Sequence, residues 1–596
     1  MLNNSRHVIA RTGKSVAQLN AAFGTKRFWR LALGAAAWGI AAPALAQTPP
    51  VNPLRAAPLG SPIPRVLPQA PEVVLPPTQP SEPLRGANVP NATVRVASVG
   101  IEGATAYRPA VLLALAGKLT GPAVPLSRIE SARLAILKRY RGDGYVLSTV
   151  AASIDANGAL KFVVTEGRIA SVKLSRDIGP AGTQVLKFLQ RLTEVQPIDE
   201  ATLERYLLLA QDVAGVTLHA LLQPSAEEPG ALNLIADVRR AAVSGVVTTD
   251  NYASSYTGPV ETLLVGNLNS FTSYGEQTQL SIYQGWPTGQ TFGQASTEAF
   301  IGSSGLKFRV YFGDGDSTPT GVLAAENYRG ITTVYGASLS YPLIRARSQT
   351  LNLTANFDGE DSTILTVASN TADYLRIVRL GANYARSDLL LGASRTAVNS
   401  VQVRLSQGLP ILGASEDNGP NLPRPGEQPT FFKFDGFLSR TQALFQPWRD
   451  ATFSVEGLLT GQWSQNILPP AEQFYLGGLQ INRGYYSGEV VGDKALAATA
   501  EIQLDTGLDL MRLGVPDPVP AQFYAFYDWG EVWQNSSQSF ATHINSAGGG
   551  VRINATRYAE VDFMGSARLN VWPTGSGAGT KPIVPGTFLW RLLARF

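Results

Sequence analysis

The 596-residue chain contains no cysteine. That excludes a disulfide framework, thiolate metal sites and cysteine nucleophiles. Histidine is nearly as scarce, with three residues: His7 near the N-terminus, His219 in a period-two segment and His543 beside a turn. None stands at a recognisable spacing from Ser and Asp partners, and no HExxH-type pattern occurs, so hydrolytic triads and zincin chemistry are excluded. No metal site and no cofactor is expected. No apolar run reaches the ~20 residues that a membrane-spanning helix needs. Charged residues make up only 16% of the chain, against ~25% in soluble domains. Low charge, 58 Gly and a mean hydropathy of +0.01 together suit a transmembrane β-barrel, whose strands alternate apolar and polar residues.

Two local patterns resemble other chemistry and do not carry it. Gly575-Ser576-Gly577-Ala578-Gly579-Thr580-Lys581 lacks phosphate-loop spacing and reads as a hairpin loop. Asp314-Gly315-Asp316 reads as a turn, with a cation contact as the alternative.

The formal charge is +4, but it is unevenly placed. Lys26, Arg27 and Arg30 precede the apolar stretch 31–42, and Ala44-Leu45-Ala46 follows as a cleavage signal, so residues 1–46 read as a secretory signal peptide with a long leader. This segment holds Arg6, Arg11, Lys14, Lys26, Arg27 and Arg30 and no acidic residue. Six positive charges taken from +4 leave −2 for the chain from Gln47. The basic surface that nucleic-acid binding requires is therefore absent, and no nucleic-acid partner is expected.

Residues 47–91 form a proline-rich linker, too interrupted for a long helix. Residues 92–168 read as a small α+β unit. Val94, Val96 and Ser98 alternate as a strand, 108–118 is a short helix, and Ser127 with Glu130 forms a capping box for a helix through Tyr140. A hairpin, 145–154 and 159–165, turns at Asn157-Gly158. Residues 169–240 read as a looser copy, with Asp199 capping a helix that Gly215 stops. From Val243 to Phe596, period-two segments recur between turn residues. Phe308, Val310 and Phe312, for example, alternate with Lys307, Arg309 and Tyr311. This length accommodates about 16 strands. The fold class is a membrane all-β barrel behind two α+β units.

Several motifs in this order resemble one family. The first unit carries Leu137-Lys138-Arg139-Tyr140-Arg141-Gly142-Asp143-Gly144-Tyr145, Asn157-Gly158-Ala159-Leu160 and Val164-Thr165-Glu166-Gly167-Arg168-Ile169, and is similar to a POTRA domain. Asp250-Asn251-Tyr252-Ala253-Ser254-Ser255-Tyr256-Thr257-Gly258 opens the barrel. Gly477-Gly478 leads to Asn482-Arg483-Gly484-Tyr485-Tyr486, and Phe526-Tyr527-Asp528-Trp529-Gly530 resembles an F-x-D-x-G strand motif. The chain thus resembles the two-partner secretion transporters of the outer membrane (the TpsB class, ShlB/FhaC/HecB-like haemolysin secretion/activation proteins) within the Omp85 superfamily.

The resemblance implies POTRA domains in the periplasm of a Gram-negative bacterium, a barrel in its outer membrane and an inward-folding loop near 477–495. The implied partners are a secreted exoprotein with an N-terminal secretion domain, an adhesin or haemolysin, together with outer-membrane lipids and the barrel assembly machinery. An Omp85-type assembly factor is the alternative function. No enzymatic activity is implied. Arg483 of the loop would pair with Asp528 of the wall, Gly484 would permit a tight backbone path and Tyr485 would pack against the wall. Asn482 stands where the family often has a small or apolar residue, and Phe526 and Gly530 complete the strand motif. Lys138, Arg139 and Arg141 form a basic cluster, either a contact for an acidic client or a solvated helix end suited to the helix dipole. Phe588, Trp590 and Phe596 resemble the terminal signal for barrel insertion. The proline-rich start implies that the plug helix of some relatives is missing.

Overall fold

The computed structural model describes residues 72–74, 84, 92–225, 228–253, 257–286, 289–320, 324, 327–509, 518–535, 541–570 and 585–596. The signal peptide, the plug-helix question, most of the proline-rich linker, Ser254–Tyr256 and the loop from Gly575 to Lys581 lie outside these residues.

The first α+β unit comprises β2 (Thr93–Val96), β3 (Ser98–Glu102), α1 (Pro109–Ala116), β4 (Gly121–Pro125), α2 (Leu126–Gly142), β5 (Thr149–Ile154) and β6 (Ala159–Thr165). The anticipated single strand through Ser98 is two strands. β2 pairs with β4, while β3 pairs in parallel with β6. The break falls at Ala97, whose amide donates to Gly158 O across the Asn157-Gly158 turn. The capping box does not form either. Pro125 takes the N-cap position, and Glu130 instead accepts from Arg133 and from the Leu84 amide. Ile129, Ile136, Leu137 and Tyr140 of α2 pack on Val150, Leu160 and Phe162 of the sheet.

Glu166 ties this unit together. Its carboxylate accepts from the Thr105 and Ala106 amides, both at 2.9 Å, from the Thr105 hydroxyl and from Tyr140 Oη at 2.7 Å. Partial burial pushes its pKa up, but the bonds from Ala106, Thr105 and Tyr140 outweigh that and hold it below the ordinary carboxylate value.

The second unit has β7 (Arg168–Leu174), α3 (Ala181–Gln190), α4 (Glu200–Gln211), β8 (Val216–Pro224) and β9 (Ala231–Arg240). Asp199 caps α4 by accepting from Thr202 N at 2.8 Å. Helix α3 has no counterpart in the sequence reading. It starts after Pro180 without a capping side chain, yet Val185, Phe188 and Leu189 are core residues. A strand from the linker, β1 (Glu72–Val74), lies parallel to the free edge of β8, with Val73 opposite Ala220.

Sixteen antiparallel strands then close a barrel. They are β10 (Val243–Asp250), β11 (Val260–Asn269), β12 (Gln277–Trp286), β13 (Gln290–Phe300), β14 (Lys307–Ser317), β15 (Arg329–Arg345), β16 (Gln349–Leu365), β17 (Asn370–Asp388), β18 (Ala397–Gly408), β19 (Phe432–Phe445) and β20 (Thr452–Ser464), then β23 (Lys494–Leu508), β24 (Val519–Trp533), β25 (Ala541–Thr556), β26 (Ala559–Arg568) and β27 (Gly586–Arg595). Two short strands, β21 (Phe474–Leu476) and β22 (Val490–Gly492), pair inside the loop between β20 and β23. Asp314-Gly315-Asp316 is strand rather than turn, within β14.

Phe308, Val310 and Phe312 of β14 are exposed on the outer face, whereas Lys307 and Tyr311 reach Glu298 and Asp358. This inversion of the soluble pattern suits a wall between lipid and a polar lumen. The ends meet where β10 pairs with β27, from Val246 opposite Arg595 to Asp250 opposite Arg591. Asn251 extends that seam: its side chain donates to Phe588 O at 3.0 Å and accepts from Trp590 N at 2.8 Å.

Candidate functional site in the barrel lumen

Residues 465–493 connect β20 to β23 and fold into the lumen, starting well before 477. At the tip, Gly477 has φ 102°, and a side chain there would strike Tyr486 O. Asn482 adopts φ 58°, a left-handed conformation that Asn tolerates, and donates to Ile544 O at 2.7 Å. That turn aims Arg483 at the wall. The Arg483 amide and Nε reach Asp528 Oδ2 at 2.9 and 3.1 Å, and Nη2 reaches Oδ1 at 3.0 Å. Nη1 donates to Glu501, and the guanidinium lies 3.6 Å from the Phe526 ring centroid. All three charged groups are buried, Asp528 completely.

A pair so enclosed is stable only because each charge is matched and hydrogen-bonded. Asp528 also accepts from Thr499, and Glu501 is shared with Arg552 at 3.0 Å. The glycines supply clearance. A Cβ on Gly530 would meet Asn482 Oδ1 at 2.5 Å and Leu476 at 2.7 Å, so its missing side chain is the space the loop tip fills. A Cβ on Gly484 would meet Ser546 at 2.8 Å. Tyr485 is buried, donates to Asn570 O at 2.5 Å, and Arg568 binds Gly484 O.

The structure therefore brings together Asn482, Arg483, Gly484 and Tyr485 with Phe526, Asp528 and Gly530. Glu501, Arg552 and Arg568 were missed in the sequence. They are alternating strand residues like many others, and nothing local marks them as partners of a loop tens of residues away.

Two further groups hold the loop. Asp493 accepts from Arg424 at 2.7 and 3.2 Å, from Leu468 N and from Asn535 N, joining three connections at one end of the barrel. Glu472 reaches Arg379 on β17 and Lys433 on β19, the neighbouring stretch of wall, at 2.8 and 2.7 Å.

The other motif residues lie elsewhere. Lys138, Arg139 and Arg141 are exposed at the end of α2. Arg139 pairs with Asp143 at 2.8 Å and lies over the Tyr107 ring. Phe588 and Phe596 are exposed on the outer face, and the backbone of Phe596 exchanges bonds with Gly245 at 2.9 and 3.1 Å.

The family of haemolysin secretion/activation proteins ShlB/FhaC/HecB matches residues 234–553, and the ShlB-type POTRA domain matches 94–167. Among solved structures, CdiB from Escherichia coli is similar, at 17% identity and a TM-score of 0.66, covering 87% of this chain and 94% of that one. CdiB from Acinetobacter baumannii matches at 15% identity and a TM-score of 0.60, covering 88% and 95%. No curated relative matches the chain by sequence. The chain belongs to the ShlB/FhaC/HecB haemolysin secretion/activation family. It is an outer-membrane transporter of the two-partner secretion class, with POTRA units in the periplasm.

Proposed function

We propose that this transporter captures one secreted exoprotein of the adhesin or haemolysin kind as an extended chain at its POTRA units. It then passes that client through the barrel lumen to the cell surface. The observation that carries this reading is the inward loop, tied to the lumen face of β23 and β24 by Arg483, Glu501 and Asp528, which fits a gated conduit rather than an open pore. The β8 edge supplies a second support. It already accepts an extended segment, β1, through backbone pairing, the geometry by which a sheet edge captures a client strand.

Transport here requires no enzymatic step by the chain, and client folding outside the cell drives it. Lipids of the outer membrane surround the exposed apolar band. The barrel assembly machinery reads Phe588, Trp590 and Phe596 during insertion, and removing Phe596 slows assembly. Lys138 and Arg141, exposed and without an ion pair among the described residues, would meet an acidic client, while Arg139 is already engaged by Asp143.

Export by an Arg483→Ala variant that inserts normally tests the reading. Secretion should fall by at least about tenfold, since the substitution strands the fully buried Asp528 carboxylate and leaves Glu501 with Arg552 alone. Unchanged export would sink the proposed role. Deleting residues 92–238 should abolish client binding while leaving the barrel. Misassembled outer-membrane barrels accumulating in its absence would instead favour an assembly factor.

A further inference from the structure

The inward loop is held on two arcs of the barrel, and the two differ in what remains once the loop leaves. On the β23–β25 arc, Arg483 is the cation bound to Asp528. Its departure would leave that fully buried carboxylate with the Thr499 hydroxyl, and Arg552 would remain with Glu501. On the β16–β19 arc the loop contributes the acid. Glu472, itself buried, binds Arg379 through Nη2 at 2.8 Å and Nη1 at 3.1 Å, and binds Lys433 Nζ at 2.7 Å. Here the wall holds replacement partners. Arg379 Nε already contacts Asp358 Oδ2 at 2.7 Å. Lys433 lies 3.9 Å from Asp435 Oδ1, a buried oxygen with no hydrogen-bond partner among the described residues.

We infer that Glu472 is a releasable second latch. The loop opens by its 468–472 limb, with Arg379 falling back on Asp358 and Lys433 on Asp435, while Arg483 stays on Asp528. Each wall cation keeps an acidic partner in both positions, so release strands no wall charge in a low-dielectric site. The departing carboxylate belongs to the loop and moves toward water. Packing favours the same division. Phe474, Leu476, Ile481, Tyr485 and Val490 form a cluster with the wall residues Ala495, Ala497, Val532 and Ile544. The 468–472 limb contributes Leu468 and Ala471 to a smaller cluster with Leu375, Ile377 and Phe431. The path for a client would then run between this limb and the β16–β19 wall. Glu472 is a positioning residue in this scheme.

The inference rests on reading the inward loop as the pore's closure. Ion current through the full-length protein in a planar bilayer tests the latch without a client, whereas export tests that reading, so the two can fail separately. Glu472→Gln should raise opening frequency by at least about tenfold, the effect of losing one buried charge pairing, and Glu472→Asp should restore most of the closed time. Asp358→Asn and Asp435→Asn should act oppositely and reduce opening, because each removes a fall-back partner of the open position. A merely structural role would make all three neutralised variants leak alike. Opposite signs in correctly folded barrels support the latch. Shifts of one sign, or no change in Glu472→Gln, overturn it.

Discussion

The second α+β unit is bound to the barrel rim mainly by side chains, whereas the first is joined to the second by two backbone hydrogen bonds and the Leu147 side chain. Arg345 at the end of β15 forms a bidentate pair with Asp212 at 2.8 and 2.7 Å, Arg347 meets Glu204, and Gln184 donates to Gly302 O. Phe188 of α3 lies edge-on to Phe300, with centroids 5.0 Å apart, so a barrel residue completes the core of the periplasmic unit. Between the units, the Glu200 amide donates to Gly144 O and the Ile198 amide to Gly167 O, both at 2.9 Å. The second unit is thus structurally part of the barrel mouth. The first is a body attached to it by a narrow junction of backbone hydrogen bonds and Leu147, the kind of junction about which domains move.

The deepest disruption of this contrast is Phe188→Ala. It should destabilise the second unit by about 3–5 kcal/mol through the cavity it leaves and expose the α3 amides to hydrogen exchange in the full-length protein. Asp212→Ala should follow at about 3 kcal/mol of docking, because it strands a partly buried guanidinium. Asp212→Ala combined with Arg345→Met should recover most of that loss, and a double variant no better than the single one would show that the pair is not what couples unit to rim. Within the first unit, Tyr140→Phe removes a bond to a carboxylate and should cost about 2 kcal/mol by denaturant titration, leaving rim docking untouched. Asp199→Ala should cost about 1 kcal/mol, seen as fraying of α4.

Acid gives the mildest perturbation and separates the units further. Because the Glu166 pKa is depressed in the folded protein, its contribution is fully present above the unfolded value of about 4.3 and is lost as pH falls through the folded value below it. Amide exchange at Thr105 and Ala106 should accelerate below about pH 4, and Glu166→Gln should remove that dependence.

Sequence legibility followed the same division between local and distant contacts. The Asn157-Gly158 hairpin, the Asp199 cap and the alternation of β14 are written in neighbouring residues, and each could be read directly. The break at Ala97 was hidden because both strands alternate alike and the separation is set by a turn 60 residues away. The false capping box arose because Ser127 and Glu130 have the right spacing, yet Pro125 fixes the helix start ahead of them. In the lumen, the Arg483 and Asp528 motifs are recognisable as patterns, while Glu472, Glu501, Arg379 and Arg552 carry no local mark. Their partners are chosen by how the closed sheet curves, which no single strand encodes.

The seam has a consequence for timing. Gly245 and Phe596 exchange backbone hydrogen bonds, and a side chain on Gly245 would strike the Phe596 ring at 2.3 Å. The first barrel strand, paired with β11 on one side, therefore finds its second partner only in β27, the last strand of the ring in chain order. Until β27 is in place, the edge of β10 away from β11 is unpaired. Closure of the ring thus waits on the β10–β27 seam, and a barrel without β27 keeps one edge of β10 open.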